Sequence, residues 1–415
     1  MDTSSSTEPI MLVTSDWHMM HHAWKNKPEL YGDAECVLGQ VVKAASDRNL
    51  PILAAGDLFN SKYPSISHLE RTSEILCGVN GYYIMGNHDR TEIPWMKLVA
   101  RNWVNLAAQP VEITACSDRF SHKAQPDMIL ELDPLFPCGR NWHLYGIHYE
   151  KYADRLQEKL DELENSLEPE DGVGRILVLH QGSEPIVPVG NFELTDRMIP
   201  DLFDLVIVGH YHTPEVFRLL TKEGRSIPCL SPGGLHLKSI KEEPHKKLYT
   251  LFSDGSIRSE ELVTRRVIQA NFHGCNELIV RQKAEKILAS VHGGMARPEL
   301  ICTPILIAEF DSHTTDLAAE LLQDILEGQV HLFVRLQDMP SDGIDVSLLD
   351  DIDLEEYAES GYAYAKEHFF HCESDPEVRR LVEWMLDQDV SQEIYTGLKN
   401  DFLKRYATPE HAIAT

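Results

Sequence analysis

Positive charge is what this chain lacks most. Against 66 acidic residues it carries 38 lysines and arginines, a formal net charge of −28. A protein that grips nucleic acid unaided normally shows a basic surface, because neutralising phosphates supplies much of the affinity. The deficit argues against tight, independent DNA binding but not against catalysis on DNA delivered by a partner. It is uneven: residues 1–260 hold 25 basic and 37 acidic side chains, and the rest hold 13 and 29. No stretch approaches the ~20 apolar residues that span a bilayer, so no membrane role is expected. The opening Met1-Asp2-Thr3-Ser4-Ser5-Ser6 has no basic flank followed by an apolar run, so no secretory signal is read there and the cytoplasm is expected. Cysteine is sparse, at positions 36, 77, 116, 138, 229, 275, 302 and 372, with no CxxC pair. That excludes a zinc ribbon and leaves buried free thiols in a reducing compartment as the expectation. Neither an internal repeat nor a low-complexity tract is present.

At 415 residues the chain exceeds what one hydrophobic core usually serves, so two or three domains are expected. Ile10–Thr14, Pro51–Ala55, Tyr82–Met85, Ile176–Leu179 and Leu205–Val208 read as buried strands, each short and apolar with polar or glycine residues after it. Ala34–Ala45 and Leu69–Leu76 have apolar residues at helical spacing, and Tyr152–Leu167 is a charged amphipathic helix. Strands alternating with helices give an α/β layered core. Val216–Leu220, Ile227–Leu230, Leu248–Phe252 and Ile257–Leu262 read as antiparallel strands, the last two joined by an Asp254-Gly255 turn. Beyond about residue 262 the character changes. Helices over Ala284–Val291 and Asp316–Glu327 and strands over Pro304–Phe310 and His331–Leu336 suggest a small α+β module. A heavily acidic stretch follows from Asp338 to Asp375, with helices expected over Leu354–Phe369, Pro376–Asp387 and Gln392–Tyr406.

The chemistry lies in five blocks: Asp16-Trp17-His18, Gly56-Asp57-Leu58-Phe59-Asn60, Gly86-Asn87-His88-Asp89, His180-Gln181-Gly182 and Gly209-His210-Tyr211-His212. Four follow directly on an apolar strand, and His180 ends one. In an open α/β sheet the carboxyl ends of the strands form the ligand crevice, so five strands deliver Asp, His and Asn side chains to one place. Singly, a DxH or HxH pair is commonplace, and His21 and His22, one turn past the first block, read as ordinary surface histidines. Five blocks in order at strand ends are not commonplace.

Carboxylate, imidazole and amide ligands together suit Mn²⁺, Fe²⁺ or Zn²⁺. A carboxylate such as Asp57 can bridge two metals, and a metal pair activates water while holding attacking and leaving oxygens. Asn87 adds a neutral oxygen ligand, which keeps the site attractive to phosphate. Gly56, Gly86 and Gly209 let the chain turn sharply where the ligands emerge.

The blocks resemble those of the calcineurin-like metallophosphoesterases over roughly residues 10–236. The resemblance implies a four-layer αββα sandwich. It also implies two divalent metals, with Mn²⁺ first and Fe²⁺ or Zn²⁺ as substitutes. Asp16, His18 and His212 would hold one metal, Asn87, His180 and His210 the other, and Asp57 would bridge. His88 matches the histidine that contacts the phosphate and protonates the leaving oxygen, as an alkoxide leaving group requires. The wording Gly56-Asp57-Leu58-Phe59-Asn60 is most like the SbcD branch, nucleases that process DNA ends with an SbcC-type ATPase. So are the long interval from His88 to His180 and the Ser231-Pro232-Gly233-Gly234 run. In that branch residues 1–262 form the nuclease domain, 263–338 an α+β DNA-capping module, and 339–415 an acidic helical region placed to dock the ATPase. A homodimer is implied as well. Asn60 stands where many SbcD-type proteins have His or Asp, a position linked to handling DNA ends. The alternatives are a phosphodiesterase or phosphatase for nucleotides or other small phosphate esters, and a non-catalytic scaffold that keeps the fold.

Overall fold

The computed structural model describes residues 7–19, 32–89, 95–113, 128–132, 135, 141–168, 170, 172–186, 192–238, 242–292, 301–310 and 315–336. The chain divides into two compact units, Met1–Arg335 and Leu336–Thr415. The helices expected between Leu354 and Tyr406 lie outside the described residues, as do His21 and His22.

The elements run β1 (Pro9–Thr14), α1 (Asp33–Arg48), β2 (Ile52–Ala55), α2 (Ile66–Leu76), β3 (Gly81–Ile84), α3 (Trp95–Val99), β4 (Trp103–Asn105), β5 (Val111–Ile113), β6 (Met128–Leu132), β7 (Asn141–Gly146) and α4 (Ala153–Ser166). They continue with β8 (Val173–His180), β9 (Leu205–Gly209), β10 (Glu215–Leu220), β11 (Ser226–Ser231), β12 (Lys247–Phe252) and β13 (Ile257–Glu261). Last come β14 (Val267–Asn271), α5 (Glu277–His292), β15 (Ile305–Phe310), α6 (Thr315–Leu326) and β16 (His331–Leu336). Among the described residues no helix is long and apolar enough to cross a membrane.

Two large sheets form the core. The first has the order β4-β3-β2-β1-β12-β13-β6 and the second β10-β11-β9-β8-β7-β5. Because side chains alternate along a strand, each central strand serves two layers. Met11 and Val13 of β1 meet Ile176, Val178, Leu205 and Ile207 of the other sheet across the middle. Leu12, between them, faces outward onto Val37, Leu38 and Val41 of α1. In the second sheet Leu177, Leu179, Val206 and Val208 turn outward onto Leu156 and Leu160 of α4 and onto Phe203. The result is helix, sheet, sheet, helix, an α/β sandwich with two large sheets.

Short length hides several of the elements overlooked in the sequence. β4 and β5 are three residues long, and α3 is five. A hydrophobic period cannot be established over so few positions. β7 and β14 escaped because polar residues interrupt their apolar ones. The cysteine expectation is corrected in part: Cys229 and Cys275 are buried, whereas Cys77 and Cys302 are exposed and Cys36 is intermediate, all unpaired. Burial pushes the Cys229 thiol well above its ordinary range.

A third sheet, β14-β15-β16, carries α5 and α6 over a separate cluster that includes Phe272, Val280, Ala284, Phe310 and Leu322. The chain enters it through a linker fastened to α1. Gln40 donates to the Val263 carbonyl at 2.8 Å and accepts from the Val263 amide at 2.9 Å. Two residues on, Arg265 is 2% exposed. Its Nη2 lies 2.6 Å from Asp33 Oδ1, and its Nη1 donates to the Thr303 carbonyl at 2.8 Å. Burial raises the Asp33 carboxyl despite the guanidinium beside it, so this pair specifies geometry more than it stabilises. Removing one partner from a buried pair strands the other's charge, at a cost of about 3–5 kcal/mol. Arg265→Met is therefore expected to lower the unfolding free energy by about that amount in urea titration. A loss under about 1 kcal/mol, typical of a surface pair, would contradict the clamp.

Candidate metal centre

Register brings the five blocks to one level. β1, β2 and β3 run parallel with Thr14 opposite Ala54 and Ala55 opposite Ile84. Asp16, Asp57 and Asn87 thus leave the first sheet side by side. In the second sheet His180 lies opposite Gly209, which sets His180 beside His210. The strands divide three and two between face-packed sheets, so the crevice spans the ends of both rather than one open sheet.

All eight candidate side chains converge there. His18 Nε2 is 3.4 Å from Asp57 Oδ2, and His180 Nε2 is 3.3 Å from the same oxygen. Asn87 Oδ1 lies 3.2 Å from both His180 Nε2 and His210 Nδ1. His212 Nε2 is 3.1 Å from His18 Nε2 and 3.7 Å from Asp16 Oδ1. Three sets each gather ligand atoms within 4.8 Å: Asp16, His18 and His212; His18, Asp57 and His88; Asp57, His180 and His210. Asp16, His18, Asp57 and His180 are buried, whereas His88, His210 and His212 are partly exposed. The centre therefore has a closed floor and an open mouth.

Backbone strain marks the same residues. Six non-glycine residues among those described have positive φ, and four of them are Asp16, His18, Asp57 and His210. Such conformations are uncommon outside glycine, though Asp and His tolerate them best, and they concentrate where function over-determines the backbone. The glycines prove to have two purposes. Gly56 has a φ of +94° and needs its freedom, but Gly86 and Gly209 matter through close approach. A Cβ on Gly86 would fall on the Asp57 carboxylate, and one on Gly209 on the Ala55 carbonyl and the Ser15 hydroxyl.

The donor set fits cations for a reason visible in its hydrogen bonds. His180 Nδ1 is 2.8 Å from the Ala55 carbonyl and donates to it, which aims Nε2 at the Asp57 and Asn87 oxygens. His212 Nδ1 is 2.9 Å from the Glu242 carboxylate, which turns the Nε2 lone pair toward His18 and Asp16. Carboxylate and amide oxygens and imidazole nitrogens thus converge, a donor set that suits divalent cations. Burial opposes charge on His180, but the Asp57 carboxylate carries the imidazole up to about 10. Burial and the charge on His180 push His210 down to about 3. Burial would raise Asp57, yet His180, His88 and His210 together hold it below the ordinary carboxylate range.

Several supporting residues carried no signal in the sequence. Asp89 stood in a quoted block but had no assigned role. Its carboxylate accepts from the amides of Leu58, Phe59 and Gly86 at 2.8, 2.8 and 3.2 Å, tying the loop after β2 to the loop after β3. Burial and nearby Asp57 raise its carboxyl to about 7. Tyr149 stacks on His210 with ring centroids 6.0 Å apart. Lys238 Nζ lies 3.3 Å from His18 Nε2. Only distant folding brings Tyr149 and Lys238 in, so no local motif announces them. Asn60 contributes its main-chain carbonyl, 3.2 Å from His88 Nδ1. The side chain at position 60 therefore plays no part in that contact.

A cation-seeking centre makes a thermal prediction. Ligands that bind only the folded state stabilise it, by about 2.7 kcal/mol at a hundredfold excess over Kd. Mn²⁺ added to metal-free protein should raise Tm by several degrees, and Asp57→Ala should abolish that rise. An equal rise in both proteins would place the binding elsewhere.

Residues 11–214 match the calcineurin-like phosphoesterase family. Over 176 residues, 40% of this chain and 40% of the relative, the sequence is 29% identical to the DNA double-strand break repair protein Mre11 of Sulfurisphaera tokodaii. Over 225 residues, 48% of this chain and 56% of the relative, it is 27% identical to the SbcD subunit of the SbcCD nuclease of Staphylococcus epidermidis. The matches thus span about half the length of these curated relatives or less. Fold, centre and family match agree: the chain carries a calcineurin-like metallophosphoesterase domain.

Proposed function

We propose that this protein is a two-metal phosphodiester hydrolase that processes DNA ends as the nuclease partner of an SbcC-type ATPase. The observation that carries the hydrolase reading is the convergence of Asp16, His18, Asp57, Asn87, His180, His210 and His212, their ligand atoms within 3.1–3.7 Å of one another in successive pairs. Asp16, His18 and His212 would hold one divalent cation, and Asn87, His180 and His210 a second. Asp57, within reach of histidines from both sets, would serve both. Bound there, such cations would supply Lewis-acid polarisation of the phosphate and a stronger nucleophile from water. Mn²⁺ suits this mixed donor set, with Fe²⁺ or Zn²⁺ as substitutes.

The protein's own part is positioning and proton delivery. His88 has its amide on Asp57 Oδ1 at 3.0 Å, and the Asn60 carbonyl accepts from Nδ1. That leaves Nε2 facing away from this contact, and with the ring in its imidazolium form Nε2 would hand its proton to the leaving oxygen and return to neutral imidazole. The DNA assignment draws on the relatives, one named for double-strand break repair and the other a nuclease. Residues 263–338 would cap the DNA. Residues 339–415 would dock the ATPase through apolar faces such as Val378, Leu381, Val382 and Met385, and the protein would act as a homodimer. The net charge of −28 favours a second reading, hydrolysis of a nucleotide or other small phosphate ester.

Cleavage of end-labelled linear duplex DNA with Mn²⁺, beside a generic phosphodiester, separates the two. Wild type should cut DNA. His88→Ala should slow turnover of either substrate by about 10²- to 10⁴-fold while elemental analysis still finds the metals. Asp57→Ala should lose both metals and activity. Turnover of the generic ester alone, persisting after a purified SbcC-type ATPase and ATP are added, would favour the small-ester reading. Loss of both metals in the His88 variant would refute its role as acid. Truncation after Pro340 should abolish co-purification with the ATPase, and retention would remove the docking proposal.

A further inference from the structure

The segment behind His212 holds a charged group that the hydrolase reading does not use. Glu242 and Lys246, one helical turn apart in sequence, meet at 2.7 Å between Oε2 and Nζ. Lys246 is wholly buried and Glu242 nearly so, at 0% and 14% side-chain exposure. Glu242 turns its other oxygen to His212 Nδ1 at 2.9 Å. Lys246 Nζ also reaches the His212 carbonyl at 3.4 Å. The Lys238 amide points to Glu242 Oε2 at the same 3.4 Å. A buried ammonium is costly to desolvate and adds little net stability even when paired. Its two partners here are the carboxylate that grips His212 and the carbonyl of His212 itself.

We propose that Glu242, held in place by Lys246, is a positioning residue that fixes the ring orientation and tautomer of His212, keeping Nδ1 protonated and Nε2 free to take a metal. The inference rests on the two-metal reading for the last step only. A carboxylate can accept but not donate, so its contact at Nδ1 settles which nitrogen carries the proton. Partners of this type orient metal-binding imidazoles and raise their basicity, and their loss typically costs 10- to 100-fold in metal affinity or activity. Lys246 holds Oε2 at 2.7 Å and so directs that oxygen away from the ring. That leaves a single oxygen for Nδ1. Both residues lie beyond the stretch that matches the family, residues 11–214, and so complete the centre from outside it.

The test uses full-length metal-free protein and two readouts. Nitrogen-15 imidazole spectra, with the His212 signals assigned by their loss in His212→Gln, report the tautomer without metal. Titration with Mn²⁺ reports affinity for each of two equivalents. Wild type should show His212 protonated at Nδ1. Glu242→Ala should shift the ring toward a mixture of tautomers and weaken one equivalent 10- to 100-fold, leaving the other unchanged. Glu242→Gln keeps the shape and an acceptor oxygen without the charge, and should fall between the two. It also serves if the alanine variant does not fold. An unchanged tautomer together with unchanged affinity in either variant overturns the proposal. Should wild type bind no Mn²⁺, the two-metal reading fails, while the tautomer comparison still decides the role of Glu242.

Discussion

Everything at the centre follows from crowding imidazole rings around the buried Asp57 carboxylate. His18 and His180 both point ring nitrogens at Asp57 Oδ2, from opposite sheets, at 3.4 and 3.3 Å. The carboxylate favours a proton on His180, in the place that a bound cation would take. The fold holds these groups together. Strands β2 and β9 beneath it are buried along their whole length, and β1 along all but its first residue. The four site residues with left-handed backbones are what the chain concedes to bring the side chains in. The stability of two packed sheets is thus spent on a site that positive charge completes.

This also explains why the supporting residues form a layer of their own. Asp89 ties two ligand loops by accepting three amides, and Glu242 ties His212 while Lys246 ties Glu242. Each is buried or nearly so and each carries charge that needs a partner. Such groups are seldom found inside a protein without one, and here the partner is in each case a group that positions a candidate ligand. Arg265 applies the same device at a distance from the centre, joining the start of α1 to the entry of the third sheet through Asp33.

The layered core and the candidate ligands were legible in the sequence because both rest on local pattern. The apolar runs at Ile10–Thr14 and Leu205–Val208 sit within one residue of the strands observed. The Asp, Asn and His residues stand directly beyond such runs, so their convergence needed only the rule that strand ends gather. What the sequence withheld was non-local or too short to carry a period. β5 has three residues and pairs with β7, and neither strand contains a hydrophobic repeat of its own. Tyr149, Lys238 and Glu242 reach the centre through tertiary packing, and no spacing rule links Glu242 to His212 across 30 residues. The motif glycines were recognised for the wrong reason in two cases. Turning requires a positive φ, visible in sequence as a preference for glycine. Exclusion of a Cβ by Asp57 or by the Ala55 carbonyl depends on a neighbouring strand that the motif does not contain.

The charge balance fits the same picture. Thirty-seven acidic residues against 25 basic ones in residues 1–260 include Asp16, Asp57, Asp89 and Glu242, whose carboxyl groups are turned inward to histidines, amides or Lys246. The remaining residues hold 29 acidic against 13 basic. A long, strongly negative segment would repel a phosphate backbone from its own surface and leave the metal centre as the main attractor. An enzyme built that way would depend on another protein to bring the substrate to its mouth, which a freely diffusing nuclease would not. The acidity thus argues against independent DNA binding and agrees with both proposed readings, a nuclease fed by a partner and a hydrolase of small phosphate esters.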